Sequence, residues 1–280
     1  MHDEWLLLGT GHYRDRLNLD SRLPVKTVLL DSLVRKWKFK YLIKPALGIC
    51  VPSKWLGDQL INLGVSAAKI KVIPNPIPEL FFNPPEKAAA RRQLNLDINE
   101  KIVLVVASST ILDKRKGIDL IEPTMVQLHR SEYNYRLVTV GIKGYDLNPK
   151  GINHKPLGRV GSDIELVNIY ACADVLFVPS RLDNLPQVVT EAQSIGLPVV
   201  AFDVGGISDA ILFPELSGKL IAPFLVNKAA EAILYFLNSS NDIMRQSWAA
   251  EAFKRWSNSK IKSEFVQYIE VLATQSTKAR

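Results

Sequence analysis

Cysteine, methionine and histidine are scarce in this 280-residue chain, with 2 Cys, 3 Met and 4 His. Cys50 and Cys172 stand far apart with no C-x-x-C spacing, so neither a disulfide framework nor a zinc knuckle is indicated. Both read as small buried hydrophobes. His2, His12, His129 and His154 show no H-E-x-x-H or other paired ligand spacing, and no metal site is expected. Long apolar runs are missing as well. The longest clean stretches, such as Ile102 to Ala107, are strand-sized, far short of the ~18 residues of a membrane-spanning helix. The N-terminus sets Asp3 and Glu4 ahead of only Trp5 to Leu8, which is not the basic start and apolar run of a signal peptide. The expected setting is cytoplasmic, with peripheral contact at the inner face of the membrane as an added reading.

What is present is ordinary for a globular chain: 47% hydrophobic, 22% charged, 15 Gly and 16 Pro. That balance excludes disorder, collagen and coiled coil. The length suits one large domain, or one full domain and a partial one.

Of the net charge of +7, most sits early, where residues 1–80 carry 12 Lys and Arg against 7 Asp and Glu. No zinc-finger, homeodomain or RNP-type pattern accompanies it, so nucleic acid is not the expected partner. The densest piece runs from Arg35 to Lys44, with five positive charges and no acid. Lys36, Lys40 and Lys44 share one helical stripe, and Leu33, Trp37 and Tyr41 lie beside it at spacing four. Two readings fit: a helix resting on anionic lipid headgroups, worth at most about 5 kcal/mol, or a solvated basic face over an aromatic stripe turned into the core.

Ile73-Pro74-Asn75-Pro76-Ile77-Pro78, followed by Pro84 and Pro85, marks a linker, since proline continues neither a helix nor a central strand. Beyond it, apolar runs alternate with helical segments. Strands are expected at 102–107, 136–140, 174–178 and 198–202, and helices near 118–130, 162–172 and 187–195. Uninterrupted apolar strands are buried on both faces, and strict alternation implies a doubly wound parallel α/β sheet. Ligands bind such sheets beyond the carboxyl ends of the strands. Three loops there carry chemistry: 113–117, 179–186 and 203–207. Leu6-Leu7-Leu8-Gly9-Thr10-Gly11 opens like a dinucleotide fingerprint, but the third glycine position holds Arg14 and no βαβ pattern follows.

Lys116-Gly117 ends a loop before a helix, so a cation and open N–H groups are expected to converge as a diphosphate requires. Gly205-Gly206 offers a second set of bare N–H groups by the same reasoning. In the middle loop Asp183 and Glu191 stand eight positions apart. Asp183 reads alternatively as a helix cap, with Asn184 and Gln187 able to form a capping box without it, and Glu191 as an exposed helical residue.

Taken together, Pro179-Ser180, Asp183-Asn184-Leu185-Pro186, Glu191-Ala192, Gly196-Leu197-Pro198-Val199-Val200-Ala201 and Asp203-Val204-Gly205-Gly206-Ile207 closely resemble the family 4 retaining glycosyltransferases of the GT-B fold. The likeness runs from about Asn75 to Asn238, and Trp256 to Tyr268 resembles the C-terminal helix that crosses back onto the first lobe. His2-Asp3-Glu4-Trp5, His12-Tyr13 and Val51-Pro52-Ser53-Lys54-Trp55-Leu56 resemble a polysaccharide-assembly branch. The resemblance implies one complete Rossmann-like donor-binding lobe at 79–256, a partial acceptor-side lobe and linker at 1–78, and a crossover helix and tail at 257–280. It implies that Asp183 contacts the transferred sugar, Glu191 binds the ribose hydroxyls and Lys116 holds the donor diphosphate. Gly205 and Gly206 line the donor site with Asn184, Leu185 and Pro186, and His2 approaches the sugar. Where many members have a Gly-Arg pair, this chain reads Ser108-Ser109-Thr110-Ile111, and Arg115 is the candidate substitute. The cysteine cluster of that branch is missing between Arg14 and Lys26.

The implied activity moves a sugar, with retained configuration and without a cofactor or metal, from a nucleotide-diphosphate sugar to a glycan or lipid-linked acceptor. Only about 75 residues precede the linker, roughly half of a typical domain, so a fragment, a mispredicted start or a degenerate protein is expected. The alternative function is a catalytically silent module that binds a sugar nucleotide or a partner subunit. A sugar-nucleotide epimerase is the third reading.

Overall fold

In a computed structural model of the chain, the structure describes residues 25–109, 114–130, 133–239 and 242–278. Two compact units divide it: Ile77–Asn258, and a second unit formed by the segment up to Pro76 together with the segment from Ser259 onward.

Among the described residues of the second unit are α1 (Val25–Lys38), continued by a wider π-type turn at Phe39–Ile43, then β1 (Ile49–Val51), α2 (Lys54–Asn62) and β2 (Ile70–Val72). β1 and β2 pair in parallel, Ile49 opposite Ile70 and Val51 opposite Val72. This small βαβ unit was not foreseen from the sequence. Ser53 starts α2 by accepting the Leu56 N–H at 3.1 Å, the usual service of an N-cap hydroxyl. Leu56 and Leu60 of α2 are fully buried with Val51 and Ile43. The last helix, α9 (Asn258–Lys278), belongs here: the Tyr268 hydroxyl donates to the Lys69 carbonyl at 3.2 Å.

The larger unit contains α3 (Lys87–Gln93), β3 (Lys101–Ser109), α4 (Ile121–His129), β4 (Tyr135–Ile142), β5 (His154–Pro156), α5 (Asp163–Cys172), β6 (Val175–Val178), α6 (Gln187–Ser194), β7 (Val199–Phe202), β8 (Gly218–Ile221), α7 (Val226–Asn238) and α8 (Asp242–Trp256). Six strands form one parallel sheet in the order β5-β4-β3-β6-β7-β8. Numbered within the sheet this is the 3-2-1-4-5-6 order of the Rossmann fold, whose direction reverses between β3 and β6.

Strand alternation sends side chains to two cores. Ile102, Leu104, Leu176 and Val199 face one, with Tyr170, Ala192 and Trp248. Val103, Val105, Phe177 and Val200 face the other, with Ile121, Met125, Ile233 and Phe236. β6 and β7 are buried at every position, as expected for strands covered by helices on both sides. Cys172 is buried in the first core, where desolvation pushes its thiol up to about 12, while Cys50 is half-buried.

Asp174, at the foot of β6, ties α3 to the sheet. Its carboxylate accepts from Lys87 Nζ at 2.5 Å, an Arg91 guanidinium nitrogen at 2.7 Å and the Ile102 N–H at 2.7 Å. Burial works to raise its pKa, but these three donors together hold it below the ordinary value. Among the described residues no helix is long and apolar enough to cross a membrane.

Candidate functional site

The order of the sheet reverses between β3 and β6, the place beyond the strands' carboxyl ends where doubly wound sheets bind their ligands. Lys116 comes from a first loop, after β3, and Asp183 from a second, after β6. They meet as an ion pair, Lys116 Nζ to Asp183 Oδ2 at 2.7 Å, with both side chains largely but not wholly sheltered. An ammonium has three protons, so this bond leaves Lys116 able to meet further oxygens.

Two glycines allow the loops to come this close. Gly117 has φ +60°, and a Cβ there would stand 1.9 Å from the Pro179 carbonyl oxygen. Gly205 has φ +59°, and its Cβ would stand 2.0 Å from the Asp183 carbonyl oxygen. No side chain fits either gap, and positive φ favours glycine. The first loop is tied to the second by the Arg181 N–H, which donates to the Arg115 carbonyl at 2.7 Å. Arg181 also reaches Asp119 at 2.6 Å and lies over the Phe224 ring.

Several expectations are corrected here. Gly206 does not offer a bare N–H, because it donates to the Asp183 carbonyl at 3.0 Å. Gly117 is not open either, since its N–H turns back to the Lys114 carbonyl at 3.2 Å. The glycines act by close approach, clamping the main chain that carries Asp183. The segment after Gly117 first makes a 3-10 turn, Ile118–Leu120, before α4 begins at Ile121. Asp183 is not a helix cap: its other oxygen accepts the adjacent Asn184 N–H at 3.0 Å. Nor do Asn184 and Gln187 form a capping box, because α6 starts at Gln187 with Pro186 as its N-cap and no side-chain bond.

Glu191, on α6, is half-buried, not the exposed helical residue of the plainer reading. The Tyr170 hydroxyl donates to Glu191 Oε2 at 2.7 Å. Burial raises the Glu191 pKa, and the Tyr170 bond opposes it by favouring the carboxylate. Tyr170 is wholly buried and its own pKa lies well above the ordinary value, so it stays a donor. The sequence reading passed over Tyr170. The signal that could have found it is a tyrosine on an otherwise core-facing helix, since a buried hydroxyl needs a partner.

The other candidates divide. Leu185 and Asn184 are buried and Pro186 is buried at the start of α6, so they shape the loop from within. Arg115 lies half-exposed in the Lys116 loop. His2, and Thr110 and Ile111 of the stretch that stands where many members have the Gly-Arg pair, lie outside the described residues. A buried amide completes the frame: Gln193 Oε1 accepts from Ser217 Oγ at 2.7 Å and the Leu212 N–H at 3.1 Å, fixing the loop ahead of β8. Among the described residues no group of three or more His, Cys, Asp or Glu side chains is placed to hold a metal ion. His154 is a structural residue. Its Nδ1 accepts the Leu147 N–H at 3.0 Å, which leaves Nε2–H to donate to Thr139 at 2.8 Å. Burial lowers its pKa, with Asp146 opposing, and keeps the ring neutral.

A doubly wound lobe with a cation and a carboxylate paired at its switch point, held there by two glycine contacts, belongs to the class whose ligands bind at that point. The chain belongs to the Glycosyl transferases group 1 family, whose model matches residues 86–255. It is 33% identical over 164 residues to the D-inositol 3-phosphate glycosyltransferase of Segniliparus rotundus, covering 55% of this chain and 36% of that one. It is 30% identical over 194 residues to the sulfoquinovosyl transferase SQD2 of Arabidopsis thaliana, covering 64% and 37%. The chain thus spans well under half the length of these curated relatives. Among solved structures, sucrose-phosphate synthase from Thermosynechococcus elongatus is similar with a TM-score of 0.66 at 25% identity, over 90% of this chain and 65% of that one. The HepE structure from Anabaena in complex with UDP-glucose is similar in fold, with a TM-score of 0.68 at 19% identity, over 84% and 67%.

Proposed function

We propose that this chain is a retaining, metal-independent glycosyltransferase that moves a sugar from a nucleotide-diphosphate sugar to a glycan or lipid-linked acceptor in surface polysaccharide assembly. The observation that carries the donor half is the Lys116–Asp183 pair at the switch point. It sets a cation where a diphosphate arrives and a carboxylate beside it for the sugar hydroxyls. Glu191, with one oxygen engaged by Tyr170, keeps its other oxygen for the ribose hydroxyls.

As the glycosidic bond breaks, negative charge grows on the departing diphosphate and positive charge on the anomeric centre. Lys116 meets the first, and the carboxylate of Asp183 lies on the side of the second. The acceptor hydroxyl attacks from the face the diphosphate leaves, and its proton passes to a phosphate oxygen of the leaving group. Family membership supports the transfer chemistry. The relatives named for inositol phosphate and for sucrose phosphate point to a wider range of acceptors than polysaccharide alone.

A thermal-shift panel of UDP-, GDP-, ADP- and dTDP-sugars tests the proposal. At a hundredfold excess over Kd a ligand adds about 2.7 kcal/mol, a shift of roughly 5–11 °C for a unit of this size. One base is expected to produce it, and Lys116→Met and Glu191→Ala are expected to lose it. No shift from any of the four overturns the donor site. A shift without release of nucleotide diphosphate to any acceptor assigns the chain as a donor-binding module.

A further inference from the structure

The basic segment of α1 faces the opposite way from the plainer sequence reading. Leu30, Leu33, Trp37 and Tyr41 are not turned into a core: they are 51%, 64%, 53% and 53% exposed. From Leu30 to Lys38, the described side chains of α1, the buried positions are Asp31 and Lys38, a polar pair. The helix shelters charge and displays apolar and aromatic groups, the reverse of a surface helix on a soluble core. Leu42 and Leu47 extend the exposed apolar surface beyond the helix end.

Charge says what covers this face. Arg35, Lys36, Lys40 and Lys44 are all exposed around it, and no acid lies between Arg35 and Lys44. Lys40 Nζ lies 5.0 Å from the centre of the Tyr41 ring, and the Trp37 and Tyr41 rings lie 5.8 Å apart, so cations and aromatics occupy one strip. Lys54, of the same unit, is paired with Asp58 at 2.6 Å on α2, so the acid nearest in sequence after this strip is already engaged. α9 also exposes Phe265, Val266 and Ile269, but Glu264 and Glu270 sit among them with Lys260 and Lys262, and that mixture selects no partner. Among the described residues, only α1 and the turn that follows it join exposed aromatics to charge of one sign. Trp and Tyr favour the headgroup level of a bilayer, and lysines flanking an apolar stripe meet anionic headgroups while their stems lie along it.

We infer that the exposed face of α1 and the following turn, Leu30 to Lys44, is a docking surface for an anionic lipid bilayer. Trp37, Leu33 and Tyr41 enter the interface, and Lys36, Lys40 and Lys44 contact the headgroups. Binding of this kind is reversible, because among the described residues no helix is both long and apolar enough to insert across the bilayer.

The test is co-sedimentation of the full chain with phosphatidylcholine vesicles, with and without phosphatidylglycerol. Binding is expected only to the anionic vesicles and is expected to weaken as salt is raised. Replacing Lys36, Lys40 and Lys44 together by Gln should lower partitioning about a hundredfold, or roughly fivefold per charge. Trp37→Ser should weaken binding without changing its salt dependence. All these side chains are exposed, and an unchanged melting temperature shows that each variant is folded. The donor-induced thermal shift should be the same in every variant, which separates this inference from the donor site. Equal binding to neutral vesicles, or none to either kind, overturns it. So does a concentration-dependent dimer abolished by Trp37→Ser, which would make a second copy of the chain the occupant.

Discussion

Gly205 and Gly144 allow the clamp on Asp183 to be measured directly, because they share a backbone conformation and differ in what surrounds them. Their φ values are +59° and +70°, but a Cβ on Gly205 would stand 2.0 Å from the Asp183 carbonyl oxygen, whereas one on Gly144 would meet nothing within 4 Å. In Gly144→Ala the cost is conformational, about 1–2 kcal/mol for left-handed backbone, or roughly 2–8 °C in melting temperature for a unit of this size. Gly205→Ala carries the same cost and must also push the carbonyl back by about 1 Å before the contact reaches a tolerable distance. Overpacking of that kind adds about 1–3 kcal/mol, giving a total of roughly 2–5 kcal/mol and a fall of about 4–20 °C. The retreat also stretches the 3.0 Å bond from the Gly206 N–H and carries Asp183 away from Lys116. Differential scanning fluorimetry of both variants, with and without the sugar nucleotide that stabilises the parent chain, checks this. Gly205→Ala should melt well below Gly144→Ala and lose most of the donor-induced shift. Equal melting of the two variants with the donor shift intact would refute the claim that this contact positions Asp183.

Lys116→Met should weaken nucleotide-diphosphate binding by about 1.5–3 kcal/mol, the worth of a hydrogen bond to a charged group. Asp183→Asn, which frees the lysine, should leave the bare diphosphate bound as well or better while losing the preference for its sugar conjugate; titration calorimetry compares them. In Tyr170→Phe the Glu191 carboxylate loses a donor, so its already raised pKa rises further. Donor affinity, which needs the ionised carboxylate, should then decline on acidification at a higher pH than in the parent, and the two should converge where both carboxylates are charged. The third site is Asp174, whose folded pKa is depressed. Its contribution is therefore complete above the ordinary carboxylate range and is lost as pH falls through the folded value. Asp174→Asn leaves Arg91 buried without its carboxylate and should cost about 3–5 kcal/mol at neutral pH. That gap should close on acidification below pH 3.8, as acid denaturation curves would show.

The four strands foreseen, at 102–107, 136–140, 174–178 and 198–202, were legible because strands covered on both faces are continuously apolar. They are observed within two residues of those bounds. β5 and β8 were missed for the converse reason. They are edge strands, read His-Lys-Pro and Gly-Lys-Leu-Ile, and are pinned by neighbours instead of by their own pattern: Thr139 sits opposite Pro156, and Val199 opposite Gly218. β1 and β2 are three residues each, too short for any periodicity to show. At the site, the residue types and their loops were readable, but the directions of their hydrogen bonds were not. Gly205-Gly206 suggested open N–H groups, yet the same lack of a side chain also permits a carbonyl to approach, and the Asp183 carbonyl takes that place. Tyr170 left no motif at all, because its role depends on a partner 21 positions away.

α1 shows most clearly what a period cannot decide. A stripe of Leu33, Trp37 and Tyr41 beside Lys36, Lys40 and Lys44 fixes that the helix has two faces, but it is silent on which one the rest of the chain covers. The usual inference, apolar side inward, assumes that burying aromatic surface within the molecule is the available way to remove it from water. Here Asp31 and Lys38 take the sheltered positions, so that assumption fails for this helix. Burial lowers the Lys38 pKa, with the charge of Asp31 opposing the shift. A helix that hides a charge pair while leaving Trp37 and Tyr41 in water gains nothing as a soluble surface. It gains on meeting a phase that accepts aromatics and cations together, and an anionic bilayer interface offers both.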